Sequence, residues 1–138
     1  MLASSYQPPP LIRMMPRPVE QAAILDQGGR ALKSPRGDKP ARYLRRPLFI
    51  LLEMVTRHPG IVVEYASLKE AIWPDAYKPL DEQLSLHVYT NTVRNLLEEQ
   101  GWPRDVLITR TGVGLQLDKQ LAQETMDAAH AANGVQFD

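Results

Sequence analysis

The chain has 138 residues, 43% of them hydrophobic and 23% charged, which fits one globular domain with short extensions and excludes wholesale disorder or a fibrous repeat. Basic and acidic residues balance to a formal net charge of zero, so any surface suited to a polyanion has to be local. There is no cysteine for a disulfide or a thiolate zinc site, and three histidines far apart offer no metal spacing. No apolar run approaches the roughly 18–20 residues that span a bilayer, and the opening MLASSYQPPP lacks signal-peptide character, which points to a cytoplasmic protein without membrane attachment.

Residues 1–18 contain Pro8, Pro9, Pro10, Pro16 and Pro18 and are expected to form a flexible arm. Three short apolar pieces follow, 22–25, 30–33 and 41–44, separated by Gly28-Gly29 and by Pro35-Arg36-Gly37-Asp38; they read as a small antiparallel meander.

Residues 47–57 place apolar side chains at 48, 51, 52, 54 and 55, a stripe of helical period, with Pro47 suited to a first turn and His58-Pro59-Gly60 ending the helix. The structural role as helix terminator outweighs any chemistry for His58. A short apolar stretch, 61–63, leads to Ser67, expected to cap a second helix over 68–73 with Leu68, Ala71 and Ile72 facing inward.

A third helix is expected from Asp81 or Glu82 to Glu99, with Leu86, Thr90, Val93 and Leu97 on its inner face and Leu84, Val88 and Leu96 widening the stripe. Gly101 and Pro103 end it. Residues 106–117 alternate around Gly112-Val113-Gly114 and read as two strands joined by a tight turn. The tail from Asp118 is expected to form one more helix, closed by Asn133-Gly134.

Three helices, a short sheet in front and a hairpin behind describe an α+β fold, a winged helix-turn-helix with a short N-terminal antiparallel sheet and a C-terminal β-hairpin wing. In the stretch 44–73, LRRPLFILLEMVTRHPGIVVEYASLKEAIW, Phe49, Leu51, Leu52, the Arg57-His58-Pro59-Gly60 stop, Val62, Val63, Leu68 and Trp73 resemble the first two helices of OmpR/PhoB-type effector domains. Residues 86–97 are similar to that family's recognition helix and Thr109-Arg-Thr-Gly-Val-Gly-Leu115 to its wing. The resemblance is strong over 41–117 and looser over the meander, where relatives carry a four-stranded sheet. It divides the chain into the arm (1–18), a winged-helix domain (19–117, with its sheet at 19–44 and its helical core and wing at 45–117) and the tail (118–138).

By resemblance, the chain is a stand-alone transcription regulator of bacterial or phage type, without a receiver domain and without a cofactor. Its third helix enters the major groove of double-stranded DNA and its wing reaches a minor groove. The groove-facing residues are then His87, Tyr89, Asn91, Thr92, Arg94 and Asn95, with Arg110 and Thr111 on the wing. Trp73 would offer its indole donor to a phosphate, or close the core under the loop, and the two roles can coexist. In relatives the loop corresponding to 74–83 contacts RNA polymerase, which singles out Tyr77, Lys78 and Asp81. Relatives also commonly bind tandem half-sites as homodimers.

The chain departs from this pattern where relatives carry arginines: Asn91, Thr92 and Thr111 stand there instead. Between Asp81 and Gly101 four acidic residues oppose Arg94, a net charge of minus three. A basic cluster lies elsewhere, at Arg30, Lys33, Arg36, Lys39, Arg42, Arg45 and Arg46; Arg42, Arg45 and Arg46 are candidate phosphate contacts, and a merely solvated face is the alternative. Two functions remain open: a sequence-specific DNA-binding regulator, or a winged-helix module that binds a protein such as RNA polymerase or another regulator. No nucleophile, metal set or nucleotide loop can be assembled for an enzyme.

Overall fold

The structure, a computed structural model, describes residues 20–75 and 78–135; the arm at 1–18 and Tyr77 of the loop lie outside the described residues. One helical turn, α1 (Gln21–Ile24), precedes three two-residue strands, β1 (Leu25–Asp26), β2 (Ala31–Leu32) and β3 (Arg42–Tyr43), paired antiparallel in that order. Leu25 lies opposite Leu32 and Ala31 opposite Tyr43. The meander is present, but residues 22–25 begin as a helical turn and not as a strand. Ala22 and Ala23 favour helix, and the turn buries Ile24 before the chain enters β1 at Leu25. Three strands therefore stand where the resemblance implies four.

Helix α2 (Arg46–Arg57) has Pro47 in its first turn, where the missing amide costs nothing, and buries Leu48, Leu51, Leu52 and Val55. The α1 turn is pinned to its last turn by the Gln21 side-chain amide, which donates to the Glu53 carbonyl at 2.9 Å and to Thr56 Oγ1 at 3.2 Å. The chain then reverses through Gly60, at φ +81°, whose amide reaches the Leu117 carbonyl at 3.0 Å.

Strand β4 (Val63–Glu64) runs directly into α3 (Tyr65–Ile72). Ser67 is consequently inside the helix and not its cap. The reason lies in the hairpin: the Tyr65 amide, one of the donors a helix start leaves unsatisfied, donates to the Val113 carbonyl at 3.0 Å, so no side-chain cap is required. Leu68 and Ile72 are buried as expected.

The expected third helix is α4 (Glu82–Gln100). Asp81 caps it, accepting from the Leu84 amide at 2.9 Å. Leu86, Thr90, Val93, Leu96 and Leu97 are buried, and the Thr90 hydroxyl is satisfied by the Leu86 carbonyl at 2.7 Å. Leu84 and Val88 do not widen this stripe; they are 59% and 52% exposed on the opposite side. Gly101, at φ +102°, closes the helix in a Schellman arrangement, its amide on the Glu98 carbonyl and that of Trp102 on the Leu97 carbonyl at 2.9 Å.

A short 3-10 turn (Arg104–Val106) precedes β5 (Leu107–Arg110) and β6 (Gly114–Leu117), so the first wing strand starts one residue later than the alternation implies. The sheet order is β4-β6-β5, antiparallel throughout, with Thr109 opposite Leu115 and Val63 opposite Leu115 from the other side. Gly114 is required by contact: a Cβ there would sit 2.0 Å from the Val63 carbonyl oxygen.

Helix α5 (Lys119–Val135) follows, with Asp118 accepting from the Leu121 amide at 3.0 Å and Ala122 and Ala129 buried. It continues through Asn133-Gly134, which do not end it. Buried side chains from both sheets and helices α1 to α5 belong to one hydrophobic core, apart from Ala31 and Ala129. Together the elements make an α+β arrangement compatible with a winged helix.

Candidate nucleic-acid interface

The outward face of α4 follows from helical spacing. Positions 84, 88, 91 and 95 lie in register at i, i+4, i+7 and i+11, with 87 and 92 on their flanks, opposite the buried Leu86, Val93 and Leu97. Leu84, His87, Val88 and Asn95 are exposed and Asn91 and Thr92 half-buried. Asn91 Nδ2 lies 3.3 Å from His87 Nε2, and the Thr92 hydroxyl returns to the Val88 carbonyl at 2.9 Å. The surface is thus one of methyl groups, amides and an imidazole.

Arg94 does not join it. Its Nε and Nη2 donate to the Leu107 carbonyl at 3.0 and 2.9 Å, and Nη2 also to Thr109 Oγ1 at 2.7 Å. The guanidinium clasps α4 to the first wing strand. Burial, and then the neighbouring Arg104, hold its pKa below the ordinary arginine value. The resemblance places Arg94 against DNA, whereas the fold commits it to the protein's own backbone.

Asn95 is held by Arg104, which also pairs with Glu98 at 3.0 Å. Tyr89 is half-buried against the core, its ring 6.1 Å from that of Trp73 and tilted by 34°. Trp73 is half-buried and packs its ring against the core. Tyr89 and Trp73 together seal the junction of α3 and α4, which leaves His87, Val88, Asn91 and Thr92 as the accessible set in the middle of the helix.

The wing turn is exposed from Thr109 to Val113, with Gly112 at φ +77°. Arg110 uses Nε on Gln116 Oε1 at 2.6 Å across the hairpin, and Gln116 in turn donates to the Gly60 carbonyl at 2.6 Å. The terminal nitrogens of Arg110 have no further partner among the described residues, and Thr111 is exposed beside them.

Several members of the basic cluster are engaged within the protein. Lys33 donates to the Ala22 carbonyl and Lys39 to the Glu99 carbonyl, while Arg42 pairs with Glu99 at 3.9 Å. Arg30, at φ +50°, lays its guanidinium over the rings of Tyr43 and Phe49, 5.4 and 5.9 Å from their centroids. Arg46 reaches the Ile72 carbonyl at 2.9 Å, which brings the start of α2 next to Trp73 and so to the α4 side. Arg45 is exposed beside it. In the loop, Lys78 is exposed and Asp81 is engaged as the α4 cap.

Residues without a functional signal in the sequence hold this arrangement in place. Gln100 is buried and donates to the Leu32 and Pro40 carbonyls, and Trp102, 2% exposed, donates its indole N–H to the Lys33 carbonyl at 2.7 Å. Both tie the end of α4 to the N-terminal sheet. The signal that could have found Trp102 is its place after Gly101, where a Schellman ending wants an apolar contact. Among the described residues no group of three or more His, Asp or Glu gathers as a metal site, and no helix is long and apolar enough to cross a membrane.

No protein-family model and no curated protein matches the sequence. Among solved structures the chain is similar to the C-terminal domain of the nisin resistance regulator NsrR, a lantibiotic response regulator. The identity is 27% and the TM-score 0.51, with 67% of this chain and 88% of that one covered. The likeness supports a winged-helix regulator domain, and that neighbour is a regulator rather than an enzyme.

Proposed function

We propose that this protein is a sequence-specific DNA-binding transcription regulator that sets α4 in the major groove and the wing turn around Arg110 and Thr111 on the adjacent minor groove. The observation that carries this reading is the outward face of α4. His87, Val88, Asn91 and Thr92 form an uncharged, hydrogen-bonding, methyl-bearing strip beside an exposed hairpin turn, on a fold shared with a response regulator's C-terminal domain. Phosphate affinity comes from the periphery: Arg45 and Arg46 at the start of α2, and the free end of Arg110. Arg42 is a weaker contributor, because Glu99 opposes it. The loop of 74–83 offers Tyr77 and Lys78 to RNA polymerase, Asp81 being spent on the helix cap. The protein acts in the cytoplasm, as a monomer or as a homodimer on tandem half-sites.

A titration with random-sequence duplex DNA at about 50 and 200 mM salt tests this. Three phosphate contacts predict a log–log slope near −3, at roughly 0.9 per contact, falling by about one for each of Arg45→Ala, Arg46→Ala and Arg110→Ala. No binding at about micromolar protein in the low-salt arm would contradict it.

One observation favours a second reading. Leu84 and Val88 are exposed one turn apart on α4 and Leu80 is exposed in the loop before it, an apolar ridge beside a helix whose cation is turned inward. Such a ridge suits a protein partner, and binding that is insensitive to salt and to Arg45 and Arg46 would favour it.

A further inference from the structure

The middle of α4 has an unusual chemistry for a helix that reads DNA. From Gln83 to Leu97 the one charged residue is Arg94, and its Nε and Nη2 are engaged by Leu107 and Thr109. The commonest base-specific contact in the major groove is a bidentate arginine or lysine on the O6 and N7 atoms of guanine. The outward face of α4 from position 84 to 95 contains neither residue.

What it does present matches the other base pair. Leu84 and Val88 expose branched methyl groups one helical turn apart, the chemistry that packs on the C5-methyl of thymine. Asn91, the next residue along that face, carries an amide whose oxygen and N–H match the N6 donor and N7 acceptor of adenine. Its Nδ2 lies 3.3 Å from His87 Nε2, and an amide nitrogen has two hydrogens. One can hold His87 while the second, with Oδ1, remains for a base. His87 then fixes the plane of the amide.

The wing agrees with this. Arg110 extends from an exposed turn with its terminal nitrogens unengaged among the described residues, and arginine is drawn to the narrow, strongly negative minor groove of A·T-rich DNA.

Resting on the DNA-binding reading above, we infer that α4 reads an A·T-rich major-groove site, with Leu84 and Val88 against thymine methyl groups, Asn91 against adenine and no guanine contact from Arg94. Selection of bound duplexes from a randomised library by the full chain should enrich a core in which A·T pairs dominate. Replacing the thymines of that core by deoxyuridine, which removes only the methyl, should weaken binding severalfold at one or two positions. Val88→Ala should abolish the sensitivity at one of them. Asn91→Ala should relax the preference for adenine at one position by about tenfold, toward the low end of the range for a bidentate pair.

The deoxyuridine arm alters only the DNA and so does not depend on any variant folding. An enriched core dominated by G·C pairs, or binding unaffected by removal of every thymine methyl, overturns the inference while leaving DNA binding intact. Failure to retain any duplex at low salt overturns the DNA-binding reading itself.

Discussion

Arg94 donates twice to the carbonyl oxygen of Leu107, at 3.0 and 2.9 Å, and so joins the middle of α4 to the first strand of the wing. The relative placement of helix and hairpin, on which any grip on a double helix would depend, is fixed by the residue that resemblance assigns to the DNA. Arg94→Ala is expected to destabilise the fold by about 1–3 kcal/mol, because a buried carbonyl loses charged donors. Arg94→Lys should recover only part of this, since an ammonium cannot reproduce the fork. Thermal unfolding of both variants checks it; a midpoint unchanged in Arg94→Ala contradicts the clasp.

Gln100 and Trp102 make the corresponding tie at the other end of α4. Trp102→Phe removes the donor to the Lys33 carbonyl and should cost about 1–2 kcal/mol, whereas Trp102→Ala also leaves a cavity and should cost about 3–5 kcal/mol. Gln100→Leu strands the Leu32 and Pro40 carbonyls and should speed hydrogen exchange in residues 25–43 more than in the wing. Uniform acceleration across the chain would show that the tie is not local.

How much of this was legible in the sequence depended on the kind of signal. Helical periodicity and the Pro and Gly stops located α2 and α4 to within a residue or so, because burial of Leu51, Leu52, Val93 and Leu97 imposes the period directly. Ser67 misled, since a hydroxyl at a helix start is a local signal and the actual partner of the Tyr65 amide, the Val113 carbonyl, is supplied by the wing turn far along the chain. Leu84 and Val88 fit the apolar period loosely, yet nothing covers their side of the helix. The roles of Arg94 and Gln100, and the indole donation of Trp102, are invisible to spacing, because their acceptors are backbone carbonyls brought near only by the tertiary fold.

Two glycines of the wing separate close contact from conformational demand. Gly114→Ala drives a methyl into the Val63 carbonyl and should cost on the order of 3 kcal/mol or more by breaking the β4–β6 pairing. Gly112→Ala meets no atom within 4 Å, and the positive φ alone should cost about 1–2 kcal/mol. Urea unfolding of the pair measures the difference, and equal losses would rule out the steric account.

The exposed ridge makes the opposite kind of prediction. Leu84→Glu and Val88→Glu lie on a solvent-facing surface and should leave stability within about 0.5 kcal/mol of the parent, while Leu86→Glu on the inner face should prevent folding. Both surface variants should lose duplex binding, because each adds a negative charge to the strip assigned to the groove. Retained binding in both would remove α4 from the interface.

The most direct test of the central claim is amide chemical-shift mapping as duplex DNA is titrated into the intact chain. The largest changes should fall on His87, Val88, Asn91 and Thr92 and on Arg110 to Val113, with smaller ones at Arg45 and Arg46. Changes confined to the N-terminal sheet, or none at saturating duplex, would contradict it.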